Sequence, residues 1–433
     1  MTPSEPSSPS DRDQFIPVRK ADLLDALIEH GPLGSEEERE KFRQVCRFLA
    51  AIYHYEYFDQ LERLRHDYFY FNPELDPHAK FDEAALARAY ADLVDSLTRV
   101  LKGADFIEMP RAEIEQAHRE RRVMRVAVKA SLDDFREVRF FRRGHHKETI
   151  EVAKWFGLRK ETHEIMVYDD VILFVAMKPA SAIDAQRRKN RLGRRGIRPG
   201  SVLIKYFRNI AGKDLNALFP NVRVVMSTLD KLMLGVPALA GGIPILFNLA
   251  STLTVLFLVI GFYLGVVGAV EQDHLKTAFA AMSGLVALGG FGMRQWLRYQ
   301  AQSLKYQKEL TDNIYFRNVN NNAGIFDYIV GTAEDQECKE AFLAYYFLRI
   351  AKAPPTQAEL DDTIERWLKA TFGVEVDFEV DDALRKLDRL RLLERHGERL
   401  SVPAPGKTLA RLDQVWDNYF QYVVDSPAIA EET

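Results

Sequence analysis

Cysteine is almost absent: Cys46 and Cys338 are the only two in 433 residues, far apart and without a CxxC neighbour. That scarcity excludes a disulfide framework and a cysteine-rich zinc site, and it suits a reducing compartment. Also missing are a P-loop, a GxGxxG fingerprint, a GxSxG elbow and an HExxH helix. Glu115-x-x-His118 stands alone, whereas a carboxylate-bridged metal site needs two such pairs and further carboxylates. His145-His146 follows two arginines and reads as an exposed hairpin turn. No catalytic, cofactor-binding or metal-ligating residue is assigned, no cofactor is expected, and the reading leans away from an enzyme. Residues 1–14 are rich in Ser and Pro and lack an apolar core, so a disordered tail is expected rather than a secretory signal.

Charge is missing in one place only. The chain carries 28% charged residues, yet Leu232 to Val270 contains none over 39 positions. About 20 apolar residues cross a bilayer, so a transmembrane helix is expected over 248–270. The stretch 231–247 holds prolines and glycines and reads as an interfacial or re-entrant lead-in. The cluster 271–276, "EQDHLK", is expected as a turn, and 277–296 as a second span ending on Trp296. Basic flanks (Lys213, Arg223 and Lys231 before; Arg294, Arg298, Lys305 and Lys308 after) place both soluble regions on the cytoplasmic side of a bacterial inner membrane. Gly261-x-x-x-Gly265 and Ala280-x-x-x-Gly284 offer small residues for helix packing, or reflect ordinary membrane-helix composition.

Around this hairpin the periodicity changes twice. Residues 15–121 form a helical N-terminal region, with a long amphipathic helix over 36–72. Residues 122–230 carry five or six short β-branched and aromatic segments, which predict an antiparallel sheet in an α+β domain. Within them lies a basic loop, 186–200. Its Arg187, Arg188, Lys189, Arg191, Arg194, Arg195 and Arg198 either form plain solvated surface or contact anionic lipid headgroups. After a helical connector, 297–335, three helices and a short hairpin with a His-Gly turn predict a winged-helix-like module over 336–422, then a tail, 423–433. From Ala301 onward the chain holds 16 basic and 24 acidic residues, so that module would repel nucleic-acid phosphates and suits a protein partner better.

Several phrases together, among them "EVRFFRRGHHKETIEVAKWFGLRKETHEIMVYDDVILFV", "LFPNVRVVMSTLDKLMLGVPALAGG", "YFRNVNNNAG" and "AEDQECKEAFLAYYFL", resemble the transmembrane-protein-143-like family, which carries domain of unknown function 3754. The resemblance implies a two-span membrane protein with large flanking domains. It implies no activity and no functional residues. The expected fold is therefore an α+β membrane protein: N-terminal helices with an antiparallel sheet domain, a two-helix transmembrane hairpin and a C-terminal winged-helix-like α/β module. The expected role is a membrane-anchored scaffold whose cytoplasmic domains bind protein partners, with an oligomeric channel or transport subunit as the alternative. Expected partners are membrane lipids, further copies of the chain and an unidentified cytoplasmic protein.

Overall fold

The computed structural model describes residues 12–29, 33–74, 82–110, 112–113, 126–129, 135–154, 159–179, 182, 198–220, 223–226, 257, 260–262, 264–265 and 272–419. The chain divides into two compact units, one of residues 1–111, 133–212 and 318–433, the other of 112–132 and 213–317.

The first unit is α+β. Helices α1 (Lys20–Glu29), α2 (Glu36–Phe69) and α3 (Glu83–Gly103) precede a five-stranded antiparallel sheet in the order β1-β3-β4-β5-β7. Its strands are β1 (Ile107–Glu108), β3 (Phe135–Lys154), β4 (Arg159–Met177), β5 (Val202–Ala211) and β7 (Asn318–Asn321); β2 (Val126–Lys129) and β6 (Arg223–Met226) belong to the second unit. Strand β4 is central, and Asp170 to Met177 is buried without a break, which explains an apolar run in place of simple alternation. Its Ile172, Phe174 and Ala176 join Val202, Ile204 and Tyr206 of β5 in the helical core.

The structure replaces several expected short strands by one long hairpin. β3 and β4 pair from Phe135↔Met177 to Lys154↔Arg159, so the pairing runs straight through His145-His146, which form no turn. These histidines sit mid-strand, where His146 Nδ1 meets Asp169 Oδ1 at 2.7 Å and His145 Nδ1 meets Asp13 Oδ1 at 3.3 Å. Gly144, just before them, takes φ +68 within the strand, and a Cβ there would lie 2.9 Å from Asp169 Cβ. Left-handed backbone costs an L-residue about 1–2 kcal/mol before any overlap is counted. Gly144→Ala is expected to lose about 2 kcal/mol, read as a lowered urea midpoint; an unchanged midpoint would show that the strand relaxes freely.

The remaining helices of this unit are α5 (Gly324–Ile350), α6 (Gln357–Phe372), α7 (Val380–Arg389) and α8 (Pro405–Asn418), with the hairpin β8 (Glu394–His396) and β9 (Arg399–Ser401) before the last; α4 belongs to the second unit. α6 opens on a capping box between Thr356 and Glu359 and closes on left-handed Gly373. α5 is buried continuously from Ala341 to Leu348, apolar around its whole circumference, as a central helix must be. It packs against α1, α2, α3, α6 and α7. The helices assigned from sequence to a separate winged-helix-like module thus share one hydrophobic cluster, from Ile16 to Leu412, with the N-terminal helices.

The second unit contains β2 (Val126–Lys129) paired antiparallel with β6 (Arg223–Met226), and the 44-residue helix α4 (Gln272–Tyr315). Here the expectation of a membrane protein is overturned: among the described residues no helix is long and apolar enough to cross a membrane. α4 contains the expected second span, but its uncharged run, Thr277 to Met293, is only 17 residues and includes four glycines. That falls short of about 20 apolar residues, and Arg294 and Arg298 follow at once. The segment 271–276 is not a turn between spans, because α4 starts at Gln272. Of the expected first span, 248–270, most lies outside the described residues. The helical residues 260–262 end in a turn at Leu264 and Gly265, where Gly265 has φ +75 and its amide donates to Phe262 O at 3.0 Å. A straight helix does not continue through that point, and only glycine takes this conformation without strain. The lead-in 231–247 also lies outside the described residues.

Candidate functional site

An open cleft of about 690 Å³ in the first unit is lined by Phe15, Arg143, Asp169, Asp170, Arg208, Asn209, Asp327, Tyr328 and Asp335, among others. The sheet supplies its floor. Arg143 of β3 and Asp170 of β4 are register partners, and Arg208 of β5 is the next partner of Asp170, so three charged side chains line up across three strands. Arg143 donates from Nε and Nη2 to Asp170 Oδ2 at 3.1 and 2.5 Å, and from Nη1 to Ala104 O at 3.1 Å. Its guanidinium stacks on Phe15 at 4.1 Å and Phe106 at 4.6 Å. Tyr206 donates to Asp170 Oδ1 at 2.6 Å, and Arg208 Nε reaches the same oxygen at 3.3 Å. Tyr206 and Tyr328 stack with centroids 4.6 Å apart. Burial, with the hydrogen bond to Asp170 behind it, pushes the Tyr206 hydroxyl far above its ordinary range.

Chemically this network is saturated. Both Asp170 oxygens already accept, so the carboxylate has little capacity left to act as a base. Four carboxylates on the cleft wall each have a cation or histidine: Asp170 has Arg143, Asp169 has His146, Asp327 has Arg65 and Asp335 has Lys339. Among the described residues no three His, Cys, Asp or Glu side chains converge to hold a metal ion. The arrangement ties strands to helices more than it offers reacting groups.

A second ionic cluster surrounds the buried Lys386 of α7. Its Nζ lies 2.8 Å from Glu337 and 2.7 Å from Asp382, with Glu340 in closer contact. Burial alone would favour the neutral amine, but Glu340, Glu337 and Asp382 outweigh it and hold Lys386 charged. Burial also pushes Glu340 up to about 8, against the pull of Lys386. Nearby, Lys339 donates to the carbonyls of Ile16 and Val18 at 2.8 and 3.1 Å.

The third feature is a surface. Along α4 the side chains of Phe279, Met282, Val286, Met293 and Trp296 are exposed, Phe279 by 63% and Val286 by 72%. With Gly289 they recur at alternating steps of three and four, one apolar seam on one helix face. A Cβ at Gly289 would meet nothing within 4 Å.

The residues singled out from sequence are described only in part. Gly261 is helical, Gly265 lies in the turn after it, and Ala280 and Gly284 lie on α4. Arg187, Arg188, Lys189, Arg191, Arg194 and Arg195 fall outside the described residues. Arg198 is engaged within the protein: its Nη2 donates to Tyr70 O at 3.1 Å and Asn72 O at 3.0 Å, capping the end of α2. The residues that sequence reading missed, Arg143, Asp170, Tyr206, Arg208, Tyr328 and Lys386, left one signal: an Asp pair inside the apolar phrase "IMVYDDVILFV".

No solved structure matches the chain. Residues 168–324 match the model of a family described as a protein of unknown function, DUF3754. The match begins two residues before Asp170 and ends at the first residue of α5, so it takes in Tyr206 and Arg208 and leaves out Arg143 and Tyr328. The chain therefore carries a domain of unknown function, similar to that family over these residues.

Proposed function

We propose that the protein is a non-catalytic scaffold that assembles through α4, with a second copy of the chain as the helix's partner. The exposed seam of Phe279, Met282, Val286, Met293 and Trp296 carries this reading. Its 3.5-residue repeat is the one by which two helices keep a shared face along their length, and an apolar patch of this extent marks a contact surface. The charge pattern favours an antiparallel pair. The half of α4 from Arg294 on has four basic and two acidic residues, whereas the half before it holds Asp273 and Lys276. Parallel copies would set the basic halves side by side; antiparallel copies set each against a neutral half.

The test is the Met282→Glu, Met293→Glu variant of the full chain, followed by sedimentation velocity and thermal unfolding. Two charges in the seam should raise the dissociation constant at least a hundredfold, about 3 kcal/mol, so the variant should sediment as a monomer and its melting should lose the concentration dependence that a dimer shows. A variant that assembles like the wild type overturns the reading. So does a monomeric wild type that pellets with phosphatidylglycerol vesicles while the variant does not, because a lipid surface would then be the seam's occupant.

A further inference from the structure

Asp105 ends the turn between α3 and β1 under unusual constraints. Its side chain is more than nine-tenths buried, and its Oδ2 finds no hydrogen-bond partner. Its backbone is left-handed, φ 58, a conformation few non-glycine residues hold. The neighbouring Ala104 and Phe106 are what grip Arg143, one by its carbonyl at 3.1 Å and the other by its ring. Charges act on Asp105 from each surrounding element: Arg143 from β3, Lys339 and Glu340 from α5, Lys386 from α7, and Glu379 just before α7. The cations are already committed. Arg143 serves Asp170, Lys339 serves Asp335, and Lys386 serves Glu337, Glu340 and Asp382. An ionised Asp105 would be a buried charge with no cation of its own.

We propose that this turn is a pH-responsive latch, shut while Asp105 carries a proton and released when it loses it. A neutral carboxyl sits buried here at little cost, whereas the anion has no cation of its own and is relieved when the turn lifts into water. Burial raises the Asp105 carboxyl from 3.8 to about 7 in the closed state. In the opened turn it returns to the ordinary carboxylate range. The closed state therefore holds its proton more tightly, so the latch's stability is full at acid pH and is lost as pH rises from about 4 towards 7. Above that both states are ionised and the loss levels off.

The amides of Ala104, Asp105 and Phe106 report the latch directly, since they donate to Val100, Lys102 and Leu101 carbonyls at 3.0, 3.0 and 2.9 Å. In the full chain, hydrogen exchange at these amides, corrected for intrinsic rate, should speed up by roughly tenfold per pH unit between about pH 5 and 7. Amides of the α5 core, Ala341 to Leu348, should show no such slope. Asp105→Asn keeps a residue that tolerates left-handed backbone and removes the titration, so its turn should stay protected at both ends of that range. Should the Asn variant fail to fold, the wild-type slope against the α5 control still decides the matter. A flat wild-type profile, or an Asn variant with the wild-type slope, overturns the latch.

Discussion

Replacing Arg143 with leucine is expected to cost about 3–5 kcal/mol, the loss that follows removal of one partner from a buried ion pair. The rings of Phe15 and Phe106 would still find an apolar side chain to cover, so packing is largely kept. The electrostatics are not. Asp170 would lose two of its donors, and Ala104 O and the Tyr328 hydroxyl would each lose one. Only Tyr206 and the half-exposed Arg208 would remain on a carboxylate held in the central strand. Adding Asp170→Asn to the same chain should recover a substantial part of the loss, because the uncompensated charge is gone. Urea unfolding followed by far-ultraviolet circular dichroism measures both steps. A single variant within 1 kcal/mol of the wild type would mean that Asp170 is far better solvated than its burial implies.

Phe42→Ala should be of similar size, about 3–5 kcal/mol, the usual range for deleting a fully buried ring. Phe42 lies on α2 and meets Tyr346 edge-on at 5.4 Å and Tyr345 face-on at 6.2 Å, both on α5. No backbone link shorter than 300 residues joins those rings, so the cavity is opened between the two ends of the chain. In a background with Trp155 and Trp296 changed to phenylalanine, fluorescence comes from Trp367 of α6, edge-on to Phe347 of α5, and from Trp416 of α8, edge-on to Phe48 and Tyr55 of α2. Their transition should move down together with the helical signal. If it stays at the wild-type midpoint, residues 336–422 form an independent module after all, and the shared core described above is not cooperative.

That contrast shows where the sequence was readable. Local signals were legible: the amphipathic pattern predicted a helix over 36–72 and the structure has α2 at Glu36–Phe69, while the His-Gly turn of "ERHGER" is the β8–β9 hairpin. The antiparallel sheet was legible as a class, from β-branched and aromatic segments. Strand lengths were not, because Gly144 reads as punctuation whether it makes a turn or a left-handed residue inside a strand. The α4 segment misled for a related reason. Hydropathy alone does not say whether an apolar run ends at a lipid boundary or runs on as charged helix, and here the same helix continues from Arg294 to Tyr315. The ionic networks were the least visible. Arg143, Asp170 and Arg208 are brought side by side by strand register, and Lys386 meets Glu340 only through helix packing, neither of which is written in local spacing.

The central position of α5 has a consequence for how the protein is made. Ile16 hands its carbonyl to Lys339, 323 residues later, and α1, α2 and α3 all rest on the same late helix. At about 5–20 residues per second, a ribosome needs on the order of 15–60 s to travel from the first of these helices to the last. Throughout that interval Phe42, Leu49, Ile52 and Tyr53 of α2, all buried in the finished core, have no α5 to cover them. The α2 face is therefore left without its cover until α5 has been made, and completion of the core waits on the arrival of one helix.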